Sequence, residues 1–306
     1  LQPRMIDDNP QMWTPGIQYG VQAGSFTHMT EFFGPLLGVM RAEDLAHAIE
    51  LVNQTGYGLT SGLESLDVRE QERWKDGVRA GNLYLNRGTT GAITLRQPFG
   101  GMGKSALGPA IKAGGPNYVA QFMDVTEIGP PRSQVIREEY VLLRWALAWR
   151  VKIIWGQLQS YAEDMTQLIR AIKSYYFHWE QEFGIEKDYF HLRGQDNIHR
   201  YLPIGAIGIR LHAADSLFDT LARIAAARIT GNTAVVSIPD DLHNRATAFL
   251  ERIDARDLLG STPVRRQSDA KLVASFGVLQ RVRYAAPDRV PPDVLKSAAR
   301  TGYYIA

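Results

Sequence analysis

The chain has 306 residues, of which 45% are hydrophobic and 22% are charged, so it holds enough apolar material to fill about two domains of ordinary size. Its 34 basic and 32 acidic residues give a net charge of only +2, which does not favour nucleic acid as a partner, because such binders usually carry a basic patch. The sequence contains no cysteine, which excludes disulfides, a thiolate nucleophile and cysteine-ligated zinc within these residues.

The N-terminal segment lacks the basic-then-apolar pattern of a signal peptide, and the sequence has no run of about 18 apolar residues. We therefore expect a cytoplasmic protein without a membrane span. Because the first residue is Leu1, we also expect a fragment or a processed product. None of the seven histidines shows the helical i, i+4 pairing of a zinc site, so no metal site is predicted.

The first 125 residues alternate short elements with glycine-rich turns. The segment after Asp67 begins like a capped helix, since Glu70 three residues later makes a pair like a capping box. Residues 87–92 and 97–103 read as loops, the second dense in glycine. The predicted elements are strands at Phe26–His28, Leu36–Met40, Asn82–Asn86 and Tyr118–Val125, and helices at Asp44–Asn53 and Val68–Val78.

A boundary is predicted at Gly129-Pro130-Pro131, beyond which the composition changes. Residues 134–182 read as long helices rich in aromatic residues, which either pack on a core or form a partner-binding face. From residue 200, strands and helices alternate as in a doubly wound α/β domain. The predicted elements are strands at Ile204–Leu211, Thr233–Ile238, Val278–Tyr284 and from Tyr303, and helices at Asp215–Ile229, Asp241–Ile253, Lys271–Phe276 and Asp293–Arg300.

Four motifs in the first half occur in the order known from one enzyme superfamily. Glu31-Phe32-Phe33-Gly34-Pro35 has the pattern Glu-x-Phe-Gly-Pro, and Pro98-Phe99-Gly100-Gly101 follows at a matching separation. Gly56–Leu63 and Ala80–Asn86 lie between them in the expected positions. On these motifs, residues 1 to about 125 resemble the C-terminal part of an aldehyde dehydrogenase catalytic domain.

A narrower resemblance rests on Asn86–Ile93, Arg96–Phe99 and Lys112–Tyr118. These segments are similar to glutamate-semialdehyde (1-pyrroline-5-carboxylate) dehydrogenases, above all to those fused behind a proline dehydrogenase in bifunctional bacterial enzymes of proline catabolism. The resemblance implies that Gly91 and Ala92 form a loop whose backbone amides hold the substrate carboxylate, as a nest of amides suits an anion. The alternative is an ordinary turn.

The resemblance also implies roles for three further side chains. Phe99 would pack on the aliphatic stem of the substrate. Glu31 would accept hydrogen bonds from the nicotinamide-ribose hydroxyls, and a carboxylate suits two adjacent donors. Phe33 would lie near the nicotinamide ring of NAD. The alternatives are a surface carboxylate or helix cap for Glu31, and core packing for Phe33.

The reaction of this family needs a thiolate nucleophile and a general base for thioester hydrolysis. In the family both groups lie before the Glu-x-Phe-Gly-Pro motif, as does the dinucleotide-binding domain. We therefore expect no catalytic residue in this chain, no activity of the chain alone, and weak or no affinity for NAD. Another carboxylated aldehyde is the alternative substrate.

The second half bears a fainter resemblance to a degenerate dinucleotide-binding domain. Gly205 and Gly208 do not make the Gly-x-Gly-x-x-Gly fingerprint, and no glycine-rich turn opens the helix at Asp215. This half is similar to the non-catalytic C-terminal domain of the longer bifunctional enzymes, which implies a structural role. The predicted organisation is an α/β chain with the C-terminal part of a catalytic domain (1–129), a helical linker (130–185) and a Rossmann-like, non-catalytic domain (186–306).

Two hypotheses follow for the function. The chain is part of an NAD-dependent oxidoreductase that converts L-glutamate γ-semialdehyde to L-glutamate, or it is a catalytically silent scaffold or oligomerisation module of such an enzyme. The expected partners are a small substrate with a carboxylate and the remainder of the parent enzyme. A second copy of the chain is a further possible partner, because an uncovered sheet edge invites pairing.

Overall fold

The computed structural model describes residues 1–91, 96–108, 111–124, 126, 136–137, 139–154, 159–252 and 255–306. The predicted site residue Ala92 and the predicted boundary at 129–131 lie outside this part of the chain. The chain divides into two compact units, Leu1–Met123 and Asp124–Ala306. No helix of the described residues is long and apolar enough to cross a membrane.

The described residues of the first unit form short strands and three α-helices. Its strands are β1 (Met5–Ile6), β2 (Asn9–Trp13), β3 (Gly16–Tyr19), β4 (Leu36–Val39), β5 (Tyr57–Gly58), β6 (Thr60–Leu63), β7 (Asn82–Leu85) and β8 (Met102–Gly103). Its helices are α1 (Phe26–Met29), α2 (Leu45–Gln54) and α3 (Val68–Gly77). The pairs β3–β4 and β6–β7 are parallel, and β1–β2 and β5–β8 are antiparallel. The strands thus form separate two-stranded sheets.

The helices α2 and α3 form where their sequence patterns predicted them. Asp44 and Asp67 each cap a helix, accepting a 2.8 Å hydrogen bond from a backbone N–H of the first turn. The predicted capping box at Asp67 is wrong, because the Glu70 carboxylate accepts a hydrogen bond from the Ser65 hydroxyl instead. The two helices contribute to a small core around the buried side chain of Trp74.

Two predicted strands of the first unit are wrong. Residues Phe26–Met29 form α1, which starts where the Ser25 hydroxyl accepts a hydrogen bond from the His28 amide. This cap outweighs the strand preference of an aromatic and a β-branched residue, since such preferences are weak over a few positions. Residues Val119–Phe122 form a turn of 3₁₀ helix.

The second unit contains the longer elements. Its helices are α4 (Val141–Ile154), α5 (Ala162–His178), α6 (Leu217–Ile229), α7 (Arg245–Leu250), α8 (Arg256–Leu259), α9 (Asp269–Ala274) and α10 (Pro292–Thr301). Its strands are β9 (Lys187–Asp188), β10 (Ile198–His199), β11 (Ala206–Arg210), β12 (Thr233–Ile238), β13 (Val264–Arg266) and β14 (Arg281–Arg283). Short 3₁₀ segments lie at Gln159–Tyr161 and Pro287–Arg289, and a π-helical turn lies at Trp179–Phe183.

Four parallel strands form the sheet of the second unit in the order β13-β12-β11-β14. The chain moves from β11 outward to β13 and then returns to the other side of β11, which is the doubly wound order that the sequence predicted. The expected strand at Tyr303 is present only as a bridge between Ile305 and Val282. The Rossmann-like description of this half is therefore confirmed.

Two helices of the second unit differ in detail from the prediction. Ser216 caps α6 in place of Asp215, and it forms a capping box with Asp219. Asn244 caps α7, so this helix begins later than the predicted start at Asp241. In both cases a side chain that accepts the amide three residues onward fixes the first turn.

The helices α4 and α5 pack in the same apolar core as the parallel sheet. Trp149 and Leu168 are buried there together with Ile209 of β11 and Phe249 of α7. The described helices of the range 130–185, predicted as a linker, thus lie inside the second compact unit. Core packing of Trp149, one of the two interpretations of the aromatic stretch, is confirmed by its exposed fraction of 2%.

Candidate functional site

A shallow depression of about 350 Å³ lies between α1 and β4 in the first unit. The Glu31 side chain is exposed at its edge and has no hydrogen-bond or ion-pair partner among the described residues. Since the carboxylate faces solvent unpaired, it is available to accept hydrogen bonds from a ligand. The depression is lined by Thr27, Thr30, Glu31, Phe32, Phe33, Gly34, Leu36 and Gly38.

Phe33 is the most exposed aromatic ring of this depression. Its backbone has φ of 50°, and its side chain is 92% exposed. A left-handed backbone is uncommon for a bulky residue and is often found at binding sites. Core packing, the alternative interpretation of Phe33, therefore does not hold within the described part of this chain.

The predicted carboxylate loop follows β7. Asn86 turns the chain with φ of 54°, and its side chain exchanges two 2.9 Å hydrogen bonds with the Ser65 backbone. Gly91 has φ of 83° and is exposed, and no described heavy atom beyond its neighbours lies within 4 Å of the place of a Cβ. The backbone at Gly91 is thus open to a ligand, and Ala92 stays a prediction.

Phe99 lies in the second glycine-rich loop. Its backbone pairs with Ala113 through two hydrogen bonds of 3.0 and 2.9 Å, which fix the loop to the later chain. The ring is half-buried, so part of its face is available to a ligand. This position fits contact with an aliphatic stem, and that role stays a prediction.

Two backbone segments approach very closely at Gly81 and Gly100. A Cβ placed on Gly81 would lie 1.8 Å from the Gly100 carbonyl oxygen, so a side chain at residue 81 has no room. Asn82 is buried, donates to the Pro98 carbonyl at 3.1 Å and accepts from the Gly100 amide at 3.2 Å. Lys112 belongs to the same cluster, since its ammonium donates to the Gly81 and Gly100 carbonyl groups. Burial lowers the pKa of this ammonium to about 8.

In the second unit, the N-terminus of α6 faces the carboxyl end of β11, where such folds usually bind a dinucleotide. Here Asp164 of α5 accepts the Phe218 amide at 3.0 Å, and Ser216 accepts the Asp219 amide at 2.9 Å. The buried Asp215 carboxylate lies beside them. The amides that would bind a phosphate are thus used internally, and the nearby carboxylates would repel one.

The first unit is similar to a known protein family. Residues 3–128 match the family described as "Aldehyde dehydrogenase family". Over these residues the chain is similar to that family, as the motifs predicted. A 1-pyrroline-5-carboxylate dehydrogenase from Bacillus subtilis (strain 168) is 45% identical over 93 residues, which are 30% of this chain and 18% of that protein.

Two solved structures are also similar. Proline Utilization A (PutA) from Corynebacterium freiburgense matches 100% of this chain and 26% of its own, with 31% identity and a TM-score of 0.69. A 1-pyrroline-5-carboxylate dehydrogenase from Thermus, solved with bound NAD, is 36% identical over 35% of this chain and 20% of its own, with a TM-score of 0.33. The chain therefore spans 26% or less of the length of these three relatives.

The aldehyde dehydrogenase segment holds all the described site residues predicted from the motifs. Glu31 and Phe33 share one depression, whereas Gly91 and Phe99 lie in two loops that are both anchored near β7. The predictions missed Asn82 and Lys112, which hold the Phe99 loop. The glycine-dense turn with Gly100 and Gly101 is the signal in the sequence that indicated close approach there, whereas Gly81 was interpreted only as a helix end.

Proposed function

We propose that the first unit contributes the carboxylate-binding loop and one edge of the cofactor site to an NAD-dependent dehydrogenase that converts L-glutamate γ-semialdehyde to L-glutamate. The open backbone at Gly91 carries this proposal. It occurs within a segment of the aldehyde dehydrogenase family that is 45% identical to a 1-pyrroline-5-carboxylate dehydrogenase.

The charge and the shape of the substrate suit the two loops. L-glutamate γ-semialdehyde carries an α-carboxylate at the end opposite its aldehyde, joined by an aliphatic stem. Backbone amides of this loop would hold the carboxylate, and no described side chain lies within 4 Å of the place of a Cβ on Gly91. The half-buried ring of Phe99 would contact the stem and exclude water from it. Together they would orient the aldehyde away from the loop.

The cofactor edge fits part of NAD. The unpaired carboxylate of Glu31 is suited to accept hydrogen bonds from both ribose hydroxyls. The exposed ring of Phe33 stands beside it in the same depression and would contact the nicotinamide face. NAD, when bound, supplies the hydride acceptor. These residues would hold its nicotinamide half.

The nucleophile must come from outside these residues, because the sequence contains no cysteine. We therefore expect that the 306-residue chain alone does not turn over the semialdehyde. Its contribution to the reaction is to bind and orient the substrate.

The test compares the native polypeptide that contains these residues with the 306-residue chain. NADH formation is followed by absorbance, with L-glutamate γ-semialdehyde and with carboxylated aldehydes of other lengths as substrates. We expect turnover by the native polypeptide, fastest with the semialdehyde, and no turnover by the 306-residue chain alone. Faster turnover of another carboxylated aldehyde would contradict the semialdehyde as substrate and would favour that aldehyde. Turnover by the chain alone would contradict the account of the nucleophile.

A scaffold role for the second unit is the second candidate, and it is favoured by the N-terminus of α6. The amides of this helix are taken by Asp164 and Ser216, and no glycine lies between β11 and α6. Hydrogen exchange of the chain with and without NAD tests this role. Protection at the start of α6 would contradict it, whereas protection confined to the region of Glu31 would agree with both candidates.

A further inference from the structure

Lys112 joins two backbone segments that are far apart in the chain. Its ammonium donates to the carbonyl oxygens of Gly81 and Gly100, the second at 2.9 Å, and lies 3.4 Å from the Asn82 side-chain oxygen. Among the described residues no carboxylate pairs with it. Its described partners are therefore neutral oxygens, to which the half-buried ammonium can donate its three protons.

The segments held by Lys112 are those that carry the proposed substrate contacts. Gly81 immediately precedes β7, which leads through Asn86 to Gly91. Gly100 follows Phe99 directly. The Lys112 side chain thus binds Gly81, on the segment that leads to the carboxylate loop. It also binds Gly100, next to the Phe99 ring that would contact the stem.

A second tie holds the same two segments. The Tyr84 hydroxyl in β7 accepts a 2.6 Å hydrogen bond from the Gln97 side chain, at the start of the Phe99 loop. Tyr84 is 4% exposed, so its ring is fixed by packing. The Phe99 loop is therefore bound to β7 at both ends, by Gln97 on one side and by Lys112 and Asn82 on the other.

We propose that Lys112 is a positioning residue for substrate specificity, which acts through the Gly81 and Gly100 carbonyl groups to set the distance between the Phe99 ring and the carboxylate loop. This inference rests on the proposed function of the two loops. Because Glu31 and Phe33 share no hydrogen bond with this cluster among the described residues, the effect should fall on the aldehyde and spare the cofactor.

Lysine at position 112 can hold both carbonyl groups better than a neutral side chain can. Glutamine at position 112 has two amide protons and a shorter reach, so at least one carbonyl group would lose its donor. Arginine keeps a positive charge and several donors and should restore most of the contacts. If Lys112 were only structural, its replacement would lower the stability of the enzyme and would not raise the KM for the semialdehyde selectively over the KM for NAD.

The experiment measures steady-state kinetics of the native polypeptide with Lys112→Gln, Lys112→Arg and the matched control Lys104→Gln. Lys104 is an exposed lysine nearby that donates one 2.8 Å hydrogen bond to the Thr55 carbonyl. For Lys112→Gln we expect the KM for the semialdehyde to rise about tenfold, which corresponds to about 1.4 kcal/mol of substrate binding lost through the displaced loops. The KM for NAD and the KM for an uncharged aldehyde of similar length should stay unchanged.

The outcomes separate this inference from the proposed function. Equal rises in the KM for the semialdehyde and for NAD, or no rise, would overturn the inference while leaving the function intact. A native polypeptide without semialdehyde turnover would overturn both. Recovery in Lys112→Arg and no change in Lys104→Gln would support the inference.

A milder variant covers the case in which Lys112→Gln does not fold. Tyr84→Phe removes only the hydroxyl that accepts from Gln97, and it should raise the KM for the semialdehyde in the same selective way. Hydrogen exchange of residues 97–101 should accelerate in this variant. A folded Tyr84→Phe enzyme with unchanged exchange and unchanged KM would overturn the inference.

Discussion

Replacing Asp215 with asparagine would remove a buried negative charge from the second unit. The Asp215 side chain has no exposed area and forms ion pairs with Arg223 and with Arg289, the latter at 2.7 Å. The Arg223 side chain is only 9% exposed, so without this partner it would stay buried with a weaker compensating charge, that of Asp219. Arg289 retains a contact with Asp219 at 3.1 Å and would lose less.

Breaking a buried ion pair from one side costs about 3–5 kcal/mol. Asparagine keeps one oxygen acceptor, which places the expected loss at the lower end, at about 3 kcal/mol. For a unit of this size, each kcal/mol corresponds to about 2–4 °C, so we expect the Tm to fall by about 6–12 °C.

The assay is thermal unfolding of the 306-residue chain by circular dichroism. Glu251→Gln is the matched control, because Glu251 pairs with Arg266 at 3.4 Å with 68% of its side chain exposed. Such a surface pair contributes about 0–1 kcal/mol, so its loss should change the Tm little. Equal changes in the two variants would refute the reasoning that burial makes the Asp215 pairs important.

Three further predictions concern the first unit. Gly91→Val should raise the KM for the semialdehyde in the native polypeptide and spare the KM for NAD, because a β-branched residue strains a backbone at φ of 83°; equal rises would contradict the loop assignment. Glu31→Gln should raise the KM for NAD and spare the KM for the semialdehyde. Steady-state kinetics with each substrate varied in turn would check this. Burial lowers the pKa of Lys112, so between pH about 8 and 10.5 the unfolded state binds the proton of this lysine more tightly than the folded state. The free energy of unfolding of the chain, compared with that of Lys112→Gln, should therefore rise as the pH increases over this range. The rise should be at most about 3 kcal/mol, reduced by partial exposure, and urea titrations at several pH values would measure it.

Elements with a strong local pattern were predictable from the sequence. The mostly apolar run Thr233–Ile238 forms β12 with the predicted bounds, because a strand buried on both faces needs a nearly continuous run of apolar residues. The helices α2 and α6 follow from apolar residues at helical spacing together with nearby capping side chains. Short elements such as α1 were not predictable, since one cap hydrogen bond outweighs a weak strand preference.

The candidate site was predictable where it rests on motifs. Glu31, Phe33, Gly91 and Phe99 were named by resemblance to aldehyde dehydrogenases, and the match of residues 3–128 confirms that family. The sequence could not show that the Phe33 ring is 92% exposed or that the amides of α6 are already occupied. These properties depend on which surfaces other segments cover.

The sequence by itself determined that these residues lack a thiol nucleophile and carry an aldehyde dehydrogenase segment, because composition and ordered motifs do not depend on how the chain packs. Only the tertiary structure decided the role of Lys112. A lysine in a sequence is usually read as exposed. Its contacts with Gly81 and Gly100 exist because the folded chain returns to β7 and leaves the ammonium only partly exposed to water.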